Sequence, residues 1–105
     1  MSNSGLSIKD ETLREVAFGS ITAAYAAFGS ALEHDAFRVT IFNGTDQAMY
    51  ISFDGTNDHK KIVSQSGRVW DEKNNDMYRK SGTQYYLKYD SAPASGSIWI
   101  EVEYT

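Results

Sequence analysis

The most constraining feature of the chain is its C-terminal run, Ser97-Ile-Trp-Ile-Glu-Val-Glu-Tyr104, in which apolar and polar side chains alternate without a break. Ile98, Ile100, Val102 and Tyr104 fall on one side of an extended segment, and Trp99, Glu101 and Glu103 on the other. A period of two cannot be satisfied by a helix, so the run predicts a strand with one face on a core. Such a strand needs antiparallel partners and a second layer to cover its apolar face.

The same rhythm recurs upstream. Phe37, Val39 and Ile41 oppose Arg38 and Thr40, and Asn43-Gly44-Thr45-Asp46 supplies a turn. Met49, Ile51 and Phe53 oppose Tyr50 and Ser52 up to Asp54-Gly55. Lys60–Val63 and Arg68–Trp70 predict short strands around Gly67, and 73–76 a polar loop. Tyr85, Leu87 and Tyr89 alternate with Tyr86 and Lys88, and 91–96, which holds the single proline, turns the chain into its last strand. Residues 13–32 mix alanines with Ile21, Thr22, Tyr25 and Phe28 and are punctuated by Gly19-Ser20 and Gly29-Ser30. We read them as one strand bent at both ends, with a helix as the alternative. Strands spaced at turn intervals of roughly ten residues predict an all-β fold, a single antiparallel β-sandwich or jelly-roll-like small barrel. Residues 1–12 form an N-terminal arm and 13–105 the domain.

A length of 105 residues holds one domain, and an apolar content of 41% supports a modest core. The formal charge of -4 is concentrated early: residues 1–35 set Lys9 and Arg14 against Asp10, Glu11, Glu15, Glu33 and Asp35. This balance opposes nucleic-acid binding, which needs a basic stripe. Without cysteine, stability rests on packing and hydrogen bonds. The polar, acidic start carries no secretory signal, and 16–32 is too short and mixed to span a bilayer, so synthesis in the cytoplasm without membrane insertion is expected.

Three polar groupings are weighed as chemistry. Asp54-Gly-Thr-Asn-Asp58-His59 could cradle a cation, but the sixth and twelfth positions of an EF-hand loop are His59 and Gln65 rather than Gly and Glu, and a hairpin turn accounts for the composition. His34 between Glu33 and Asp35 has no nucleophile near it in sequence, which favours solvated loop charge. Glu101 and Glu103 lie roughly 6–7 Å apart on one strand face, as a glycosidase pair could, yet such pairs flank a deep cleft and a charged strand edge explains them better. No phosphate loop, zinc spacing or nucleophile elbow is present. No catalytic residue, metal or cofactor is expected. The outward aromatics, Trp99 and either Tyr86 or the Tyr85/Tyr89 pair, are the informative surplus, since exposed rings mark protein interfaces or sugar-stacking platforms.

Residues Phe37–Gly55 (FRVTIFNGTDQAMYISFDG), the following Thr56-Asn-Asp-His59 and Ser95–Tyr104 resemble small virion proteins of tailed bacteriophages. The resemblance implies a non-enzymatic structural component present in many copies, either a capsid decoration or cement protein or a ring protein at the neck or tail. Its implied partners are other virion proteins (major capsid, portal or tail) and further copies of the chain. Trp99, Glu101, Glu103 and Tyr86, with Lys9, Asp10 and Glu11 on the arm, are the expected interface. A carbohydrate-binding module with a Trp/Tyr platform is the alternative.

Overall fold

The computed structural model describes residues 8–71 and 79–105. Nine strands lie among them: β1 (Lys9–Asp10), β2 (Arg14–Ala17), β3 (Ala26–Ala27), β4 (Ala36–Asn43), β5 (Met49–Ser52), β6 (Lys60–Ile62), β7 (Ser66–Asp71), β8 (Tyr86–Tyr89) and β9 (Ser97–Tyr104). They form two antiparallel sheets. Sheet A runs β1–β9–β4–β7, with β2 also on β9, and sheet B runs β3–β8–β5–β6. The paired strands β2/β9, β3/β8, β4/β7 and β5/β6 are nested like the two arms of one long hairpin rolled over itself. This order is that of a jelly roll: from β2 onward successive strands alternate between the layers except at the β5–β6 hairpin.

Alternation decides what fills the space between the sheets. Val39 and Ile41 of β4 meet Val102 and Ile100 of β9, and all four are buried with Met49, Ile51 and Leu87 of sheet B. Burying each such side chain contributes roughly 1.5–3 kcal/mol. Phe28, between the sheets, is fully buried as well. Its backbone N–H donates to the Tyr85 carbonyl at 2.8 Å, which brings the loop after β3 onto sheet B.

Two expectations change. The register shifts between Ala36 and Arg38, so β4 carries an extra residue opposite β9. This bulge gives the inward position to Ala36, which is fully buried, and leaves Phe37 half-buried instead of in line with Val39 and Ile41. Residues 13–32 form neither one strand nor an α-helix. They are split into β2, a 3-10 turn (Phe18–Ser20) and the two-residue β3, because the chain leaves sheet A after Ala17 and joins sheet B at Ala26. The expected polar loop at 73–76 lies outside the described residues.

The turns are fixed by side chains. Buried Asn43 accepts from the Thr45 backbone N–H (3.0 Å) and hydroxyl (2.6 Å) and donates to the carbonyls of Gln47 (2.8 Å) and Ile62 (2.9 Å). One amide thus closes the β4–β5 turn and ties it to β6. Just before β9, Gly96 adopts φ +87°, and a Cβ there would overlap the Gly44 carbonyl, so the two turns touch at backbone distance.

Candidate interaction surface

The register that buries Ile98, Ile100 and Val102 turns Trp99, Glu101 and Glu103 to the outer face of sheet A. Across the strands this face is ordered in rows. Glu15, Trp99, Phe42 and Gly67 form one, Glu101, Thr40 and Val69 the next, and Asp10, Glu103, Arg38 and Asp71 the third. Trp99 is half-buried; its ring stacks on Phe42 with centroids 5.0 Å apart, and its indole N–H donates to Glu101 at 3.1 Å. Val69 remains 59% exposed. Arg38 donates to Glu103 and, at 3.2 Å, to Asp71, so the third row is an ion-pair triad across β9, β4 and β7. Asp10, Glu15 and Glu101 meet no cation among the described residues. Glu15 only accepts from the Ser97 hydroxyl at 2.6 Å.

Where β1 passes to β2 the chain lifts from β9, opening a shallow cleft of about 230 Å³ lined by Asp10, Glu11, Leu13, Glu101 and Val102. Ile8, Leu13 and Phe18, all exposed, run along the same border.

The residues expected on the arm divide. Lys9 and Asp10 are exposed but pair in register with Tyr104 and Glu103, so this part of the segment is a sheet strand. Glu11 is turned into the protein with no exposed side chain, which removes it from any interface. Its carboxylate accepts from Arg14 Nη2 (2.7 Å), the backbone N–H of Glu33 (3.1 Å) and His34 (2.8 Å), and His34 Nδ1 (2.8 Å). Burial, the largest single influence, pushes its pKa up, but the bonds from Arg14, His34 and the two backbone N–H groups outweigh it and hold the carboxyl below its ordinary value. Arg14 also donates to the carbonyls of Ser30 (2.9 Å) and Ala31 (3.1 Å), and the His34 ring stacks on Tyr104 at 3.7 Å. His34 is therefore part of a clamp joining the N-terminal strands, the 30–34 loop and β9, rather than solvated loop charge. Glu11, Glu33 and His34 are spaced closely enough to hold a cation. Both Glu11 oxygens are, however, committed to donors of the fold, so this set does not fit a metal.

Sheet B presents a different outer face. The row Lys61, Tyr50 and Lys88 crosses β6, β5 and β8. Lys61 and Lys88 each sit 5.7 Å from the Tyr50 ring centre, and Lys88 also lies 5.0 Å over Tyr25. Tyr86 is half-buried on this face, so it stands on the side of the molecule opposite Trp99. Tyr25 donates to Asp58 at 2.5 Å, and Lys88 lies 3.4 Å from the same carboxylate. In the turn that precedes β6, Asp54 accepts from the backbone N–H of Thr56 and Asn57, the Asn57 amide and the Ser52 hydroxyl. Those bonds, led by the Asn57 backbone N–H, pull its pKa far down. His59 Nδ1 accepts from the Phe53 backbone N–H. Each of the three side chains thus holds a different part of the fold, and His59 Nε2 also lies 3.9 Å from Asp54 Oδ2, an arrangement that a turn accounts for.

Glu15, Phe42 and Val69 were not singled out from the sequence. Phe42 follows from the parity that places Arg38 and Thr40 outward, whereas Glu15 needed the β2–β9 pairing, which joins residues more than eighty positions apart. No helix of the described residues is long and apolar enough to cross a membrane. No protein-family model, curated protein or solved structure matches the chain.

Proposed function

We propose that the protein is a non-enzymatic assembly subunit, a jelly roll that joins repeated copies or neighbouring proteins through the outer face of sheet A. Its proposed setting is the tailed-phage virion, as a capsid decoration or cement protein or a neck or tail ring protein. The observation that carries this reading is the stacked Trp99–Phe42 pair, held half-open on a rigid four-strand surface beside an exposed Val69. Aromatic pairs in such positions anchor protein contacts, and a sheet holds them with little entropy left to lose on binding. Jelly rolls recur in viral capsid proteins, an analogy of fold that agrees with the resemblance in residues 37–104. Among the described residues, the groups with strongly displaced protonation, Tyr25 and Asp54, are engaged in hydrogen bonds of the fold itself.

The test is Trp99→Ala, compared by circular dichroism, sedimentation velocity and co-sedimentation with particles from the source. The stack is worth about 0.5–1.5 kcal/mol beyond area burial, so the fold should persist. Self-association or particle binding should be lost. Unchanged association, or a variant that unfolds, overturns the reading.

A second reading is favoured by Tyr25, Tyr50 and Tyr86 on sheet B, which could stack on sugar rings as jelly-roll lectin domains do. Retention on a glycan array by a strictly monomeric protein would select it.

A further inference from the structure

We propose that the acidic outer face of sheet A docks on the outer face of sheet B of a second copy of the chain, joining copies head to tail rather than across a two-fold axis. The inference rests on the assembly reading and names its partner. On the sheet A face, among the described residues, Asp10, Glu15, Glu101, Glu103 and Asp71 stand with one guanidinium, Arg38, held between Glu103 and Asp71. Five carboxylates and one guanidinium leave four net negative charges, as many as the whole chain carries, so the rest of the molecule is neutral in sum. The apolar centre of Trp99, Phe42 and Val69 is therefore bordered mainly by negative charge, with Arg38 held between Glu103 and Asp71 as the cation in the row.

A two-fold contact sets a face against itself. Here it would bring Asp10, Glu15 and Glu101 of two copies toward one another, with like charges drawn out of water and no cation to offset them. The face requires a cationic counterpart, and the opposite side of the same sandwich holds a row of lysines, with Asp58 and Asp54 in the turn beside Tyr25 at its border. Lys61 and Lys88 flank Tyr50 in the middle of sheet B, Lys61 has no carboxylate partner among the described residues, and the single carboxylate beside Lys88 is shared with the Tyr25 hydroxyl. Tyr50 and Tyr86 offer ring surface to Trp99. The cleft beside Leu13 suits a lysine, with its aliphatic stem on the leucine and its ammonium between Asp10 and Glu101.

The size of the joint sets its strength. Eight residues of β9 and three strand spacings give a face of roughly 26 by 14 Å, about 400 Å². That is about half of a standard footprint of ~800 Å² per partner, so one joint is weak and assembly depends on concentration and salt. Because the two faces lie on opposite sides of the sandwich, the contact repeats, giving an open stack or a ring if the rotation closes.

The experiment is sedimentation velocity on the full chain at low and high salt, with Glu101→Lys, Lys61→Glu, an equimolar mixture of the two, and the double variant. Both positions are exposed, and circular dichroism checks their folds. Wild type should gain mass with concentration at low salt and lose it at high salt. Each single variant should associate at least tenfold more weakly. The mixture and the double variant should both recover, because each restores opposite charges across a head-to-tail joint. Lack of effect of Lys61→Glu, or a mixture that stays dissociated, overturns the proposal. If Trp99→Ala still abolishes association in that case, the assembly reading survives without it. A wild type that remains monomeric at millimolar concentration and low salt also overturns the proposal, while particle binding lost on Trp99→Ala would still uphold assembly with a different protein.

Discussion

Replacing Glu11 by glutamine should cost this domain about 3–4 kcal/mol. The substitution keeps the shape of a side chain that has no exposed surface and alters only what it can accept. The carboxylate receives four donor groups, from Arg14, His34 Nδ1 and the backbone N–H of Glu33 and His34. An amide has one acceptor oxygen. If that oxygen faces Arg14, the NH₂ is pressed against two backbone donors; if it faces those donors, the NH₂ meets a guanidinium that is only 6% exposed. The first arrangement loses up to three bonds and the second loses that from Arg14 while the others no longer reach a full charge, so the loss is that of about two charge-assisted bonds, at roughly 1.5–3 kcal/mol each. Arg14 keeps the carbonyls of Ser30 and Ala31, which holds the loss near the lower end of the ~3–5 kcal/mol for breaking a buried pair. For a domain stable by roughly 5–15 kcal/mol this is a large fraction, and the midpoint should fall by roughly 12–25 °C.

Urea unfolding at neutral pH, followed by tryptophan fluorescence, measures the difference, with exposed Glu33→Gln as the control within about 0.5 kcal/mol of wild type. A loss below about 1 kcal/mol for Glu11→Gln would refute the clamp. The pH dependence supplies a second check. The Glu11 carboxyl lies below its usual 4.5 in the folded protein, so its contribution is complete above about that pH and is lost as the pH falls from there through the depressed folded value. Wild type should therefore destabilise in acid more steeply than the glutamine variant.

Two further outcomes follow from local geometry. Gly96→Ala should cost more than about 3 kcal/mol, because the new methyl strikes the Gly44 carbonyl, whereas Gly82→Ala, also at positive φ but with open space around it, should cost about 1–2 kcal/mol by chemical denaturation; similar losses at the two sites would refute the close approach of the turns. Burial foremost, then the bond to Asp58, raises the Tyr25 pKa above its usual 10.0, so that bond stabilises the fold below about pH 10 and its contribution is lost as the pH rises from there. Ultraviolet titration of Tyr25→Phe should lack one phenol that ionises above the usual tyrosine range in wild type, and an unchanged alkaline limb would sink the assignment.

The strands that alternate cleanly, β4, β5, β8 and β9, were legible because burial on one face imposes a period of two on the residues themselves. The turn at 43–46 was legible for the same kind of local reason, as Asn and Thr satisfy their own backbone. Residues 13–32 were not, because neither half of that stretch is stabilised by its neighbours in sequence. β2 exists through β9 and β3 through β8, and strands of four and two residues leave too short a pattern to read. Phe37 was misplaced by the bulge, which breaks parity without leaving a mark in composition. Tyr86 and Trp99 both point outward, as alternation predicts, but only the assignment of their strands to different sheets shows that they stand on opposite sides of the protein.

Glu11 and Glu101 show why a residue's type did not settle its role. Both are glutamates beside the same cleft, and the sequence offers each as charged surface. Glu101 belongs to an unbroken strand, so parity alone turns it outward, where water screens it and a partner's cation can reach it. Glu11 follows outward Asp10 and its N–H still donates to the Val102 carbonyl at 3.0 Å, so alternation turns it inward just before the segment leaves register with β9. What fixes it is a set of donors from residues 14, 33 and 34, none of them selected by periodicity. The inward carboxylate is satisfied by its own chain and the outward one is not. That difference in unmet hydrogen-bonding and charge is why the first belongs to stability and the second to recognition, and why the two substitutions above should separate: Glu11→Gln in the unfolding midpoint with association intact wherever the protein is folded, Glu101→Lys in association with the midpoint nearly unmoved.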